Sequence, residues 1–71
     1  MFHPEEWFAY DALSDVYYAR YRNGTTGRVI TREFARESWA HYFVATIYGD
    51  SRHELLSPDE LTYTEIMREA M

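Results

Sequence analysis

Two of this chain's three glycines fall inside one five-residue run, Asn23-Gly24-Thr25-Thr26-Gly27. Asn and Gly enter the left-handed backbone region at little cost, so the run reads as a break through which neither helix nor strand continues. Whatever precedes residue 23 must end there, and a new element must begin after residue 27. The residues upstream then admit two readings.

In the first, Asn23-Gly24 closes a helix over 4–21. Pro4 suits the first helical position, Glu5 and Glu6 lie where the positive end of the helix dipole favours carboxylates, and Ala9, Ala12, Leu13, Val16 and Tyr17 recur at helical spacing. Ser14-Asp15 is its weak point. In the second, Val16 to Arg22 is a strand rich in Tyr and Val, 23–27 is its turn, and Arg28 to Thr31 returns, making a hairpin over 16–31.

Further along, Thr31 reads as an N-cap, and Ala35, Trp39, Tyr42, Phe43, Thr46 and Ile47 fall on one helical face. A strand ahead of them at 28–34 would require a turn at Ala35-Arg36-Glu37-Ser38, which lacks Gly, Pro, Asn and Asp. The expectation is a helix over 32–48 ended by Gly49-Asp50. Ser57-Pro58-Asp59-Glu60 forms a capping box, which predicts a third helix over 58–70 with Leu55 and Leu56 tucked beneath as a hydrophobic staple. The expected fold is a mainly α, three-helix single domain over 1–71. The alternative is α+β with the 16–31 hairpin.

A domain of 71 residues with no cysteine has no disulfide to supplement a small core. Thirteen aromatic residues are more than such a core encloses, so a homodimer or a tight partner is expected, with Trp7 a suitable interface anchor. No apolar run approaches the roughly 20 residues a membrane-spanning helix needs. The opening Met1-Phe2-His3-Pro4-Glu5-Glu6 has neither a basic nor an apolar leader region. A cytoplasmic protein is the resulting expectation.

The net charge of −5 hides a segregated pattern, with every cation an Arg. Residues 1–15 carry Glu5, Glu6, Asp11 and Asp15 with no cation. Residues 16–36 carry Arg20, Arg22, Arg28, Arg32 and Arg36 against Glu33, and residues 37–71 return to acid through Glu37, Asp50, Glu54, Asp59, Glu60, Glu65 and Glu69 against Arg52 and Arg68. In one reading the acidic ends fold back onto the basic middle and most charges are solvated surface. Of two functional readings, one gives the function to the carboxylates Glu5, Glu6, Asp11, Asp15, Glu54, Asp59, Glu60, Glu65 and Glu69. As a rigid array they would imitate nucleic-acid phosphates and occupy a basic surface on a partner protein. The other gives it to Tyr17, Tyr18, Arg20, Tyr21, Arg22, Arg28 and Arg32, which would stack on bases and hold phosphates. Acid outweighs base over the chain, so direct nucleic-acid binding is the less favoured of the two.

Catalytic and cofactor chemistry find no motif. His3, His41 and His53 do not have the i, i+3 or i+4 spacing of helical metal sites. The serines lack a nucleophile-elbow context, and Gly24 to Gly27 is not followed by the Lys of a phosphate-binding loop. The expectation is no enzyme, metal or cofactor.

The run Arg20 to Ala35 resembles a short segment of small phage and prophage proteins, whose pattern is roughly Arg-Asp-x-x-Thr-Gly-Arg-aromatic-Val-Ser/Thr-x-x-aromatic-Ala. Here Asn23 stands for the Asp and Val29 for the aromatic residue. The resemblance implies a mobile-element origin. By analogy of size and acidity, it implies an inhibitor of a host protein, of which anti-CRISPR proteins are one kind.

Overall fold

A computed structural model describes residues 1–58. They form a single 3-10 turn, Pro4–Glu6, four strands and one helix, in the order β1 (Phe8–Asp11), β2 (Val16–Asn23), β3 (Val29–Phe34), α1 (Glu37–Tyr48) and β4 (His53–Leu56). The fold is α+β, and the expected mainly helical, three-helix domain is overturned.

The strand reading of 16–22 wins because β2 is the centre of the sheet. On one side it pairs antiparallel with β3, from Tyr17 opposite Phe34 to Arg22 opposite Val29. On the other side two short strands share its length end to end. β1 covers Val16 to Ala19, with Phe8 opposite Ala19, and β4 covers Arg20 to Asn23, with Leu56 opposite Arg20. A helix over 4–21 would have buried Leu13, which instead is 99% exposed in the β1–β2 turn. Asp15, with φ 55°, turns the chain there. Leu55 and Leu56 are strand residues of β4, not a staple.

The second helix begins at Glu37 rather than residue 32, because 29–34 is committed to β3. Thr31 is therefore no cap. A hairpin would need turn residues at 35–38, whereas here β3 leads directly into α1. Arg36 is the N-cap residue, still extended at φ −126° and ψ 141°. The helix predicted over 58–70 lies, beyond Pro58, outside the described residues.

Side chains alternate along a strand, so Tyr17, Ala19 and Tyr21 share one face of β2. That face carries α1. Ala19, Ala40 and Val44 are wholly buried there with Phe8, and the half-buried Phe2, Trp7, Tyr17, Phe34, Phe43 and Leu55 pack around them. Two alanines at the centre let the helix backbone lie close on the sheet. Tyr21 meets Phe43 edge-on at 5.6 Å between ring centres, in the favoured aromatic geometry. Among the described residues, no helix is long and apolar enough to cross a membrane.

Candidate functional site

The expected acidic array does not assemble among the described residues. Glu5 and Glu6 sit in the 3-10 turn before β1, where the His3 imidazole stands 3.4 Å from Glu5. Asp11 and Asp15 lie at the other end of β1, each with a local partner. Asp11 accepts the Leu13 N–H at 3.0 Å, and Asp15 accepts the Tyr10 hydroxyl at 2.6 Å. Glu54 stands across the strands from Arg22, 3.6 Å from its Nε. Asp59, Glu60, Glu65 and Glu69 lie outside the described residues.

The basic and aromatic patch is divided by strand alternation. Tyr17 and Tyr21 face the helix, whereas Tyr18, Arg20 and Arg22 project from the opposite side of β2. Tyr21 is 6% exposed and Arg20 only 3%. Neither is available to a base or phosphate. No buried side-chain nitrogen or oxygen among the described residues lacks a hydrogen-bond partner. Arg22 donates to the Gly27 carbonyl at 3.1 Å, tying the strand to its own turn.

Arg28 and Arg32 are placed differently. The Asn23 N–H donates to the Arg28 carbonyl at 2.8 Å, so pairing continues one residue ahead of β3. Arg28, Ile30, Arg32 and Phe34 consequently share the face turned towards α1. Arg28 and Arg32 are exposed, and neither has an ion-pair partner among the described residues. Arg36 continues the series with its guanidinium 5.7 Å from the centre of the Trp39 ring.

Beside this row lies an open pocket of about 280 Å³ lined by Phe34, Trp39, Tyr42, Phe43 and Thr46. Its walls are apolar. The Phe34 and Phe43 rings stand 5.2 Å apart at its base. Thr46 contributes no free hydroxyl, since its Oγ1 donates to the Tyr42 carbonyl at 2.9 Å. Trp39 and Tyr42, 56% and 76% exposed, form the rim. The sequence places Trp39, Tyr42, Phe43 and Thr46 on one helical face. In the structure Ala40, Val44 and Ile47 take the core, and the larger aromatics flank it. A strand reading of 29–34 supplies the missing signal, because Arg28 and Arg32, four residues apart, then fall on one face.

One polar cluster has a structural task. Arg52 grips Asp50 through Nε at 3.1 Å and Nη2 at 2.9 Å, and its N–H adds a bond of 3.0 Å. The guanidinium hydrogen bonds hold the Asp50 carboxyl well below the usual carboxylate range. His53 Nδ1 accepts the Gly24 N–H at 3.2 Å while Nε2 stands 3.7 Å from Asp50. The imidazole thus ties the β2–β3 turn to the start of β4. No group of three His, Asp or Glu among the described residues is arranged to hold a metal ion.

No protein-family model, curated protein or solved structure matches this chain.

Proposed function

We propose that this chain is a small, non-enzymatic protein-binding domain that holds its partner through the groove between β3 and α1. The observation that carries this reading is the exposure of Trp39 and Tyr42 at the rim of an apolar pocket. Trp, Tyr and Arg anchored on regular elements are the residue types that dominate binding energy at protein interfaces. The wider reading, a mobile-element inhibitor of a host protein, draws on small size, a net charge of −5 and the resemblance of residues 20–35. Its contact surface moves from the carboxylates to the groove, because the described carboxylates stand at separate ends of the sheet or have local partners.

The test compares capture of a partner by the parent chain and by a Trp39→Ala/Tyr42→Ala variant. Both side chains are mostly exposed, so the variant should keep the circular dichroism spectrum and melting profile of the parent. Loss of the partner with the fold intact is the expected result. Equal capture by both chains would exclude the groove. A Glu5→Arg/Glu6→Arg variant run alongside reports on the acidic surface, and losing the partner only there would return the contact to the carboxylates.

A further inference from the structure

The outer edge of β3 adjoins the groove and has no strand paired to it among the described residues. Antiparallel pairs alternate between bonded and non-bonded positions. Because Arg28 is bonded to Asn23, the N–H and C=O groups of Val29, Thr31 and Glu33 point away from β2. An extended chain laid along this edge finds donors and acceptors in alternation, which a nucleic-acid backbone cannot match because its phosphates only accept.

The side chains on this edge restrict who can use it. Arg28, Arg32 and Arg36 are spaced four residues apart, with Ile30 and Phe34 between them. A second copy is a poor occupant. Antiparallel two-fold pairing of β3 with itself, centred anywhere from Ile30 to Glu33, sets an Arg of one copy opposite or diagonal to an Arg of the other. Like charges at those positions oppose pairing. The same row complements a strand with carboxylates at every fourth residue.

We propose that the occupant is an extended acidic segment of the partner protein, added to β3 as a further strand. Its carboxylates face Arg28 and Arg32, and an apolar side chain beyond them enters the Phe34–Trp39–Tyr42 pocket. This mode combines main-chain pairing, which supplies affinity, with side-chain pockets on alternate residues, which supply specificity. The inference rests on the groove reading above and adds the chemistry and conformation of the ligand.

The experiment titrates isotopically labelled full chain with short synthetic peptides, following backbone amide resonances. The first peptide carries Glu at every fourth residue, Val at the positions between and a terminal Leu. The second replaces Glu by Lys, the third replaces Glu by Ser, and the fourth is the first with alternate amides N-methylated to prevent strand pairing. A short oligothymidylate is the polyanion control. The expected result is binding of the first peptide alone, shifting the Val29, Thr31 and Glu33 amides. An Arg32→Glu variant should weaken that binding by about tenfold or more, a loss of about 1.4 kcal/mol.

Each other result overturns the inference in its own way. Equal binding of the Ser peptide, shifting Trp39 and Tyr42 but not β3, would keep the groove and remove the acidic strand. Undiminished binding of the N-methylated peptide would remove strand addition. Tighter binding of the oligothymidylate would reassign the Arg row to a polyanion. Absence of binding by every probe at millimolar concentration would reject an acidic-strand ligand. The groove reading would then stand or fall on the Trp39→Ala/Tyr42→Ala capture test.

Discussion

Asp15 shows how much one residue can decide in a sheet this small. It is the only non-glycine among the described residues with positive φ, at 55°, a region Asp tolerates because its short side chain can bond locally. The bond it makes is to the Tyr10 hydroxyl, which donates to Oδ1 at 2.6 Å. That hydrogen bond, then desolvation and the nearby negative charge of Asp15, raise the Tyr10 phenol above its ordinary value. A group whose pKa is raised on folding stabilises the fold fully below its unfolded value, about 10 for Tyr, and loses that contribution as pH rises through the folded value. Asp15→Asn keeps a residue that accepts positive φ and removes the charge. The phenolate absorbance of Tyr10 should therefore appear at lower pH in Asp15→Asn than in the parent. An unchanged ultraviolet titration would show that the bond does not govern this Tyr. On Asp50 the sign is opposite. A carboxyl lowered by Arg52 adds stability above the unfolded value, and this is lost as the medium becomes acidic.

Among the elements, the β2–β3 turn explains both what the sequence revealed and what it concealed. The break at 23–27 is legible, since Asn23 Oδ1 accepts the Thr25 and Thr26 N–H groups at 2.8 and 3.2 Å and Gly27 closes the loop at φ 74°. Less visible is that Gly24 lies against the loop between α1 and β4. A Cβ on Gly24 would fall 1.6 Å from the Arg52 carbonyl oxygen, whereas one on Gly27 meets nothing within 4 Å. Two ordinary glycine rules thus separate. Gly27→Ala should cost about 1 kcal/mol through left-handed strain, and Gly24→Ala on the order of 3 kcal/mol because two backbone segments must part. Urea denaturation of both variants checks the order, and a larger loss at Gly27 would contradict the packing.

The misplaced helix over 4–21 has a related cause. Spacing around Ala9, Ala12, Leu13, Val16 and Tyr17 satisfies a helical period, yet the partners that settle the matter are Phe34, Leu55 and Leu56, distant in sequence. Local pattern cannot weigh a strand paired on both sides. The same blindness hid the groove, because the direction of α1's buried face depends on Ala19 and Phe8 beneath it. The Arg residues were visible as a block. Only strand alternation sorts that block into a buried Arg20 and an exposed row at 28 and 32.

At the scale of the whole molecule, β2 is the member on which every other strand depends. It is bonded along both edges, and α1 lies over Ala19 at its middle. Amide exchange should be slowest at Tyr18, Ala19, Arg20 and Tyr21, and fast at Val29, Thr31 and Glu33, whose amides point outward. Hydrogen exchange followed residue by residue measures this order. Protection of the outward β3 amides equal to that of β2 would mean the edge is already covered. The sharing of one edge by β1 and β4 also imposes a timetable on assembly. β1 reaches β2 through a four-residue turn and β3 through the 23–27 loop, both quick closures, while β4 must wait for some thirty intervening residues including α1. A chain emerging from a ribosome therefore presents a three-stranded meander with half of one edge open, and only the arrival of His53 to Leu56 seals it.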